Sequence, residues 1–213
     1  MGWAQTEKQA LVETLRHADP EADTLCAGWN TRRLLAHLVQ REQDPRGGLG
    51  DALLRAEPGR ERYLGRLADG AASPEGYAAL LARFLAGPPR WSPMSWASEQ
   101  LNLLEYVIHH EDVRRAGSTS PGPRVLPEHE RQRIWQPLPL LARLRYRSAP
   151  VGVVLAGLGG PRATVKSGAP AVTLTGEPVE LALYTSGRRS VAHVQVSGPP
   201  EAVARFQAWV EQT

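Results

Sequence analysis

At 213 residues the chain is longer than the commonest single-domain size, so one large or two modest domains both fit. With 42% hydrophobic and 22% charged residues it has an ordinary globular composition, and no apolar run reaches the length of a membrane span. Its net charge of +3 is carried almost wholly by arginine, lysine appearing only as Lys8 and Lys166, and the basic residues alternate with acids (REQDPR, EHERQR). That interleaving argues against a nucleic-acid-tracking surface. The N-terminus MGWAQTEKQA lacks the apolar core of a signal peptide, so a cytoplasmic location is expected. A single cysteine, Cys26, excludes an intrachain disulfide and a thiolate zinc cluster.

In chain order, EKQALVETLRHA places Leu11, Leu15 and Ala18 at helical spacing, and ADPEADTLCAGW then interrupts the pattern. GWNTRRLLAHLVQRE predicts a second helix, capped by Asn30 or Thr31, with Leu34, Leu35, Leu38 and Val39 as its apolar stripe. Residues 44–70 are glycine-rich and charged and predict a loop plus a short helix. PEGYAALLARFLAG follows Ser73, a good N-cap, and stops at Gly87-Pro88-Pro89. A fourth long pattern begins near Ser98 and runs through Arg115 to Gly117, with Leu101, Leu104, Val107 and Ile108 apolar.

The texture changes at STSPGPRVLPEHE, an expected inter-domain connection. PEHERQRIWQPLPLLARLRYR is helical but must break or kink at Pro137 and Pro139. VGVVLAG, ATVKSG and AVTLTG are strand-length runs between Gly and Pro, EPVELALYTSG predicts a short helix, VAHVQVSG a strand, and PPEAVARFQAWVEQT a closing helix. The expectation is an all-helical N-terminal domain over 1–117 and a small α+β domain over 118–213, connecting helix included.

Glu105 and His109 stand at i, i+4 on one helix face, the separation at which two ligands converge on one ion. His37 lies among leucines on another helix, and helix bundles gather inward-facing side chains into core sites. Two imidazoles and a carboxylate form a usual ligand set for a divalent metal with one position open. Spacing alone also allows the plain alternative of a surface Glu/His pair and a satisfied, partly buried histidine. Asp112, at i+3 from His109, can orient that imidazole. His110 is expected at the surface, Glu111 off the site, and Arg114 and Arg115 as helix-end charges. Cys26 is expected to be structural.

GWNTRRLLAHLV resembles the tryptophan–Ser/Thr–x–x–x–Leu–x–x–His–Leu segment of the DinB-like, mycothiol-dependent maleylpyruvate isomerase superfamily. LLEYVIHHEDVRR is similar to that superfamily's second ligand segment, and TLTGEPVELALYTSGRR to its small C-terminal domain, where a glycine–arginine pair follows a short helix. Within the superfamily an actinobacterial metal-binding subgroup fits best. The resemblance implies a four-helix bundle holding a divalent metal, usually zinc, through His37, Glu105 and His109. It also implies mycothiol or another small thiol as cosubstrate, and a transferase or isomerase acting on a small electrophile. Arg188 is the arginine that matches the glycine–arginine pair, as a binder of substrate carboxylate, and Arg189 matches it less well. The alternative is a non-catalytic metal-binding or ligand-sensing module.

Overall fold

The computed structural model describes residues 2–54, 57–92, 99–117 and 121–212. The chain divides into two compact units, 1–121 and 122–213. The first is helical: α1 (Trp3–His17), α2 (Thr31–Gln43), α3 (Pro45–Leu54), α4 (Arg62–Asp69), α5 (Pro74–Ala86) and α6 (Glu99–Arg114). The expected starting residue of the last helix, Ser98, lies outside the described residues, as do 118–120 of the expected connection.

Local signals place the helix starts. Asn30 accepts a hydrogen bond from the Arg33 amide, and Ser73 accepts one from Gly76, each satisfying an N–H that has no intrahelical partner. Leu11 and Leu15 of α1, Leu34, Leu35, Leu38 and Val39 of α2, Leu64 and Ala68 of α4, Leu80 and Phe84 of α5 and Tyr106 of α6 form one apolar core. Leu101, expected on the apolar stripe, is instead exposed near the start of α6.

Residues 44–70 correct the expectation of a loop with one short helix, because two helices form there. A buried carboxylate holds them together. Asp51 of α3 accepts from Gln40 at 3.0 Å and from the amides of Tyr63 and Leu64 at 2.9 Å, capping α4 from another helix. Gly50 permits the close approach, since a Cβ there would lie 2.7 Å from the Tyr63 ring.

The second unit has α7 (Glu128–Trp135) and α8 (Leu138–Tyr146), broken at Pro137 as the sequence predicts. There follow β1 (Gly152–Gly157), β2 (Arg162–Lys166), β3 (Ala171–Gly176), α9 (Pro178–Thr185), β4 (Gln195–Ser197) and α10 (Pro200–Glu211). The sheet order is β2-β1-β3-β4, with β1 and β3 parallel and both outer pairings antiparallel. Val153, Leu155, Val172 and Leu174 are fully buried, as are Leu181 to Leu183 of α9 and Phe206 of α10. The architecture is therefore a helical N-terminal unit followed by a small α+β unit. Among the described residues, no helix is long and apolar enough to cross a membrane.

Candidate functional site

α2 and α6 bring His37, Glu105 and His109 together: one donor atom from each lies within 4.8 Å of the others. Both imidazoles address the same carboxylate oxygen. Glu105 Oε1 is 3.5 Å from His37 Nε2 and 3.3 Å from His109 Nε2, and the two rings meet edge to face at 5.2 Å. Arg41, one turn beyond His37, places its Nε 3.4 Å from the same oxygen and donates to Asn102 at 3.2 Å. The Glu105 side chain is 29% exposed and that of His37 27%, so the group opens to solvent on one side.

The far side of His109 is closed. Its Nδ1 lies 2.9 Å from Oδ2 of Asp112, a fully buried carboxylate that can only accept. That bond directs Nδ1–H to Asp112 and turns Nε2 toward Glu105. The Cys26 thiol donates to the same Asp112 oxygen at 3.1 Å, and the Leu25 amide donates to the Asp112 carbonyl at 3.1 Å. The loop before α2 is thereby fastened to α6. Cys26, His109 and Asp112 also bring donor atoms within 4.8 Å of one another, on the opposite edge of the ring.

Electrostatics follow this layout. Burial alone would strip the proton from His109, but its bonds to Asp112, Cys26 and Glu105 outweigh that and hold it well above the ordinary histidine value. Burial would raise Glu105, yet the bonds from His109 and His37 keep it well below the usual carboxylate range. His37 is pushed down, burial there prevailing over the bond to Glu105. A proton on His109 therefore occupies the space between two carboxylates, and a cation binding at Glu105 would have to displace it.

Trp29 supports His37 from behind, with ring centroids 4.9 Å apart. Its indole N–H donates to Glu61 at 3.0 Å, and Glu61 in turn accepts from Arg33 at 2.7 Å and from the Gly59 amide. Two glycines make this possible. Gly28 (φ +76) and Gly59 (φ +87) lie backbone to backbone, each so placed that a Cβ would meet a carbonyl oxygen at 2.8 Å. Arg41 and Trp29 were not singled out from sequence as site residues. A signal existed for both, Arg41 at i+4 from His37 and Trp29 just before the cap, whereas nothing near Glu61 announces its role.

The expectation for His110 is corrected. His110 is buried, not at the surface: Nδ1 lies 2.7 Å from Glu7 and Nε2 2.8 Å from the Thr14 hydroxyl, both on α1. Glu111 is fully buried and takes both Arg114 and Arg115, the second itself buried, so these arginines neutralise a core carboxylate as well as ending a helix. Arg188 belongs to the second unit, where its Nη1 donates to the Ser186 carbonyl at 2.7 Å. A cavity of about 700 Å³ between α1 and α5, lined by Val12, Tyr77 and Leu81, contains none of the three candidate ligands.

A family described as the mycothiol maleylpyruvate isomerase N-terminal domain matches residues 3–114, more than half of the chain. The chain belongs to that family. The match covers α1 to α6 and hence all three candidate ligands. A crystal structure of the mycothiol-dependent maleylpyruvate isomerase superposes with a TM-score of 0.59 at 15% identity, over 92% of this chain and 90% of that one. At that identity the likeness establishes a shared fold. No curated protein matches the chain. Membership in the maleylpyruvate isomerase family agrees with the resemblance of GWNTRRLLAHLV and LLEYVIHHEDVRR.

Proposed function

We propose that the helical unit is a DinB-like four-helix bundle of α1, α2, α5 and α6 that holds a divalent metal, best matched by zinc, through His37, Glu105 and His109. On this reading the protein is a mycothiol-dependent, or other small-thiol-dependent, transferase or isomerase acting on a small electrophile. One observation carries it: two imidazole nitrogens from different helices converge on a single carboxylate oxygen that is partly open to solvent. A neutral imidazole holding Nδ1–H toward Asp112 presents a lone pair at Nε2, so in the absence of a proton three electron-rich atoms face one another. A cation suits that donor set, and two nitrogens with one oxygen leave a coordination position open. Held by His37, Glu105 and His109, such an ion would supply Lewis-acid chemistry, lowering the pKa of a small thiol beside it.

The chain's own residues supply the rest. Asp112 fixes the ring orientation of His109, Trp29 backs His37, and Arg41 anchors Glu105 while keeping a positive charge beside the opening. Membership in the maleylpyruvate isomerase family supports mycothiol as the thiol. Arg188 is the proposed holder of a substrate carboxylate, on the strength of the glycine–arginine pair alone.

Metal analysis of protein purified without a histidine tag tests the site. We expect stoichiometric divalent metal in the wild type and its loss in His37→Ala and Glu105→Ala. Metal absent from the wild type even after zinc is supplied would sink the proposal. Metal-dependent loss of thiol with a panel of electrophiles then tests catalysis. Metal retention with no thiol consumed by any electrophile would instead identify a non-catalytic binding module.

A further inference from the structure

Arg145 and Arg189, both in the second unit, have no ion-pair partner among the described residues. The ends of α8 and α9, together with Trp209 on α10, enclose a cavity of about 710 Å³. Arg145, Arg147, Ser148, Thr185 and Ser186 line it, and no acidic residue does. Arg145 is half-buried and forms no ion pair among the described residues. Thr185 is buried and accepts from the Tyr146 hydroxyl at 3.3 Å, so its own O–H proton can be given elsewhere.

Arg189 sharpens the picture. Its Nη1 donates to the Val210 carbonyl at 2.6 Å, beside Trp209 in the cavity wall. A carbonyl at the end of α10 accounts for that nitrogen. It does not account for Nε and Nη2, which are buried and have no hydrogen-bond partner among the described residues. Burial, and then the charge of Arg145, act against the Arg189 guanidinium. Those two nitrogens do not face the cavity, but the neighbouring like charges destabilise the protein, and an anion held beside Arg145 relieves that repulsion.

We propose that this cavity binds an oxyanion, the carboxylate or phosphate group of a small organic ligand. The fork of Arg145 takes the anion, Thr185 donates a hydroxyl, and Arg189, which does not line the cavity, adds positive charge from behind Trp209. Leu141, Leu144 and Trp209 offer an apolar surface to the remainder of the ligand. Nothing in the assignment depends on the metal centre of the helical unit, and Arg188 does not enter it.

The test is a titration of the full chain with inorganic phosphate and, separately, with succinate. Ionic strength is held constant with chloride, and the arginine Nε–H resonances and melting temperature are followed. A saturable response to phosphate alone marks a phosphorylated ligand, to succinate alone a carboxylate, and to both a site for oxyanions generally. Arg145→Ala is expected to weaken binding about tenfold or more, as loss of a charge-assisted bond requires. Arg145→Lys keeps the charge without the fork and should weaken it less. Arg143→Ala, on the same helix but outside the cavity, is the control and should leave binding unchanged. Repeating the titration in His37→Ala separates this cavity from any anion bound through a metal. No saturable response to either anion, or equal losses in Arg143→Ala and Arg145→Ala, would overturn the proposal.

Discussion

Asp112→Asn is the substitution that best interrogates the candidate metal centre, because it alters charge with almost no change in shape. The wild-type carboxylate is fully buried and accepts from His109 Nδ1 at 2.9 Å and from the Cys26 thiol at 3.1 Å. An asparagine can still accept from Nδ1–H through its amide oxygen, but it removes the negative charge that makes the imidazole a strong donor to an ion. It also offers an N–H that can turn toward His109 and reverse the tautomer, pointing Nε2–H at Glu105. Groups that orient a metal-bound histidine are typically worth about 10- to 100-fold in affinity, or about 1.4–2.7 kcal/mol. The buried site and the short bond place Asp112 in the upper half of that range. Cys26→Ala removes only a weak thiol donor to the same oxygen and should change affinity little. Zinc affinity is measured by competition with a chromophoric chelator, and the His109 tautomer by nitrogen chemical shifts in the zinc-loaded protein. If Asp112→Asn binds zinc as tightly as the wild type with an unchanged tautomer, Asp112 does not position the ligand and the account of His109 fails.

Two further outcomes are expected from polar groups in the same unit. Lys8 donates to both oxygens of Glu42 at 2.8 Å, Tyr106 donates to Glu42 at 2.5 Å, and both charged side chains are almost fully buried. Lys8→Met should therefore cost about 3–5 kcal/mol in urea unfolding, whereas Lys8→Met with Glu42→Leu should recover most of it, and equal costs would refute a paired buried charge. Burial would raise Glu61, but Arg33, the local backbone and Trp29 together hold it below the ordinary carboxylate range. Its folded-state value is the lower one, so its contribution is complete above the unfolded value and disappears as pH falls through the folded one. Glu61→Gln should thus lower stability at about pH 6 and lessen the loss between about pH 5 and pH 3, a slope readable from urea midpoints. An identical slope in the variant would exclude Glu61 as a source.

What the sequence made legible was local. Asn30 and Ser73 cap because a short polar side chain precedes an apolar run, and Pro137 separates α7 from α8 because it cannot continue a helix. His37, Glu105 and His109 were legible through i, i+4 spacing and a second helix with a histidine on its inner side. What escaped was set by contacts distant in sequence. Gly47, Gly48 and Gly50 argue against α3, yet Asp51 ties that segment to Gln40 and the start of α4. His110 was misplaced because periodicity assumes that a helix has an outer face. Residues 106 to 112 of α6 are all buried, so the face presented to Glu7 and Thr14 cannot be recognised from its own pattern.

That burial explains why the candidate ligands stand out from other polar clusters in the same core. Lys8, Glu42 and Tyr106 contain their own cation, and their donors match the acceptor. Glu7, His110 and Thr14 form a chain in which each ring nitrogen has a separate partner, so the imidazole is satisfied within the protein. Glu111 is answered by Arg114 and Arg115. His37, Glu105 and His109 differ in two respects: two ring nitrogens share one oxygen, and that oxygen's own side chain is partly open to solvent, whereas the carboxylates Glu42, Glu7 and Glu111 are buried. Two of these clusters also help to fix the register of α6, since a shift by one turn would break the bonds of His110 to Glu7 and Thr14 on α1 and of Tyr106 to Glu42 on α2. The separation of Glu105 and His109 from His37 is therefore held by side chains that take no part in the site. A ligand set for a metal needs this kind of preorganisation, and it need not be supplied by the ligands themselves.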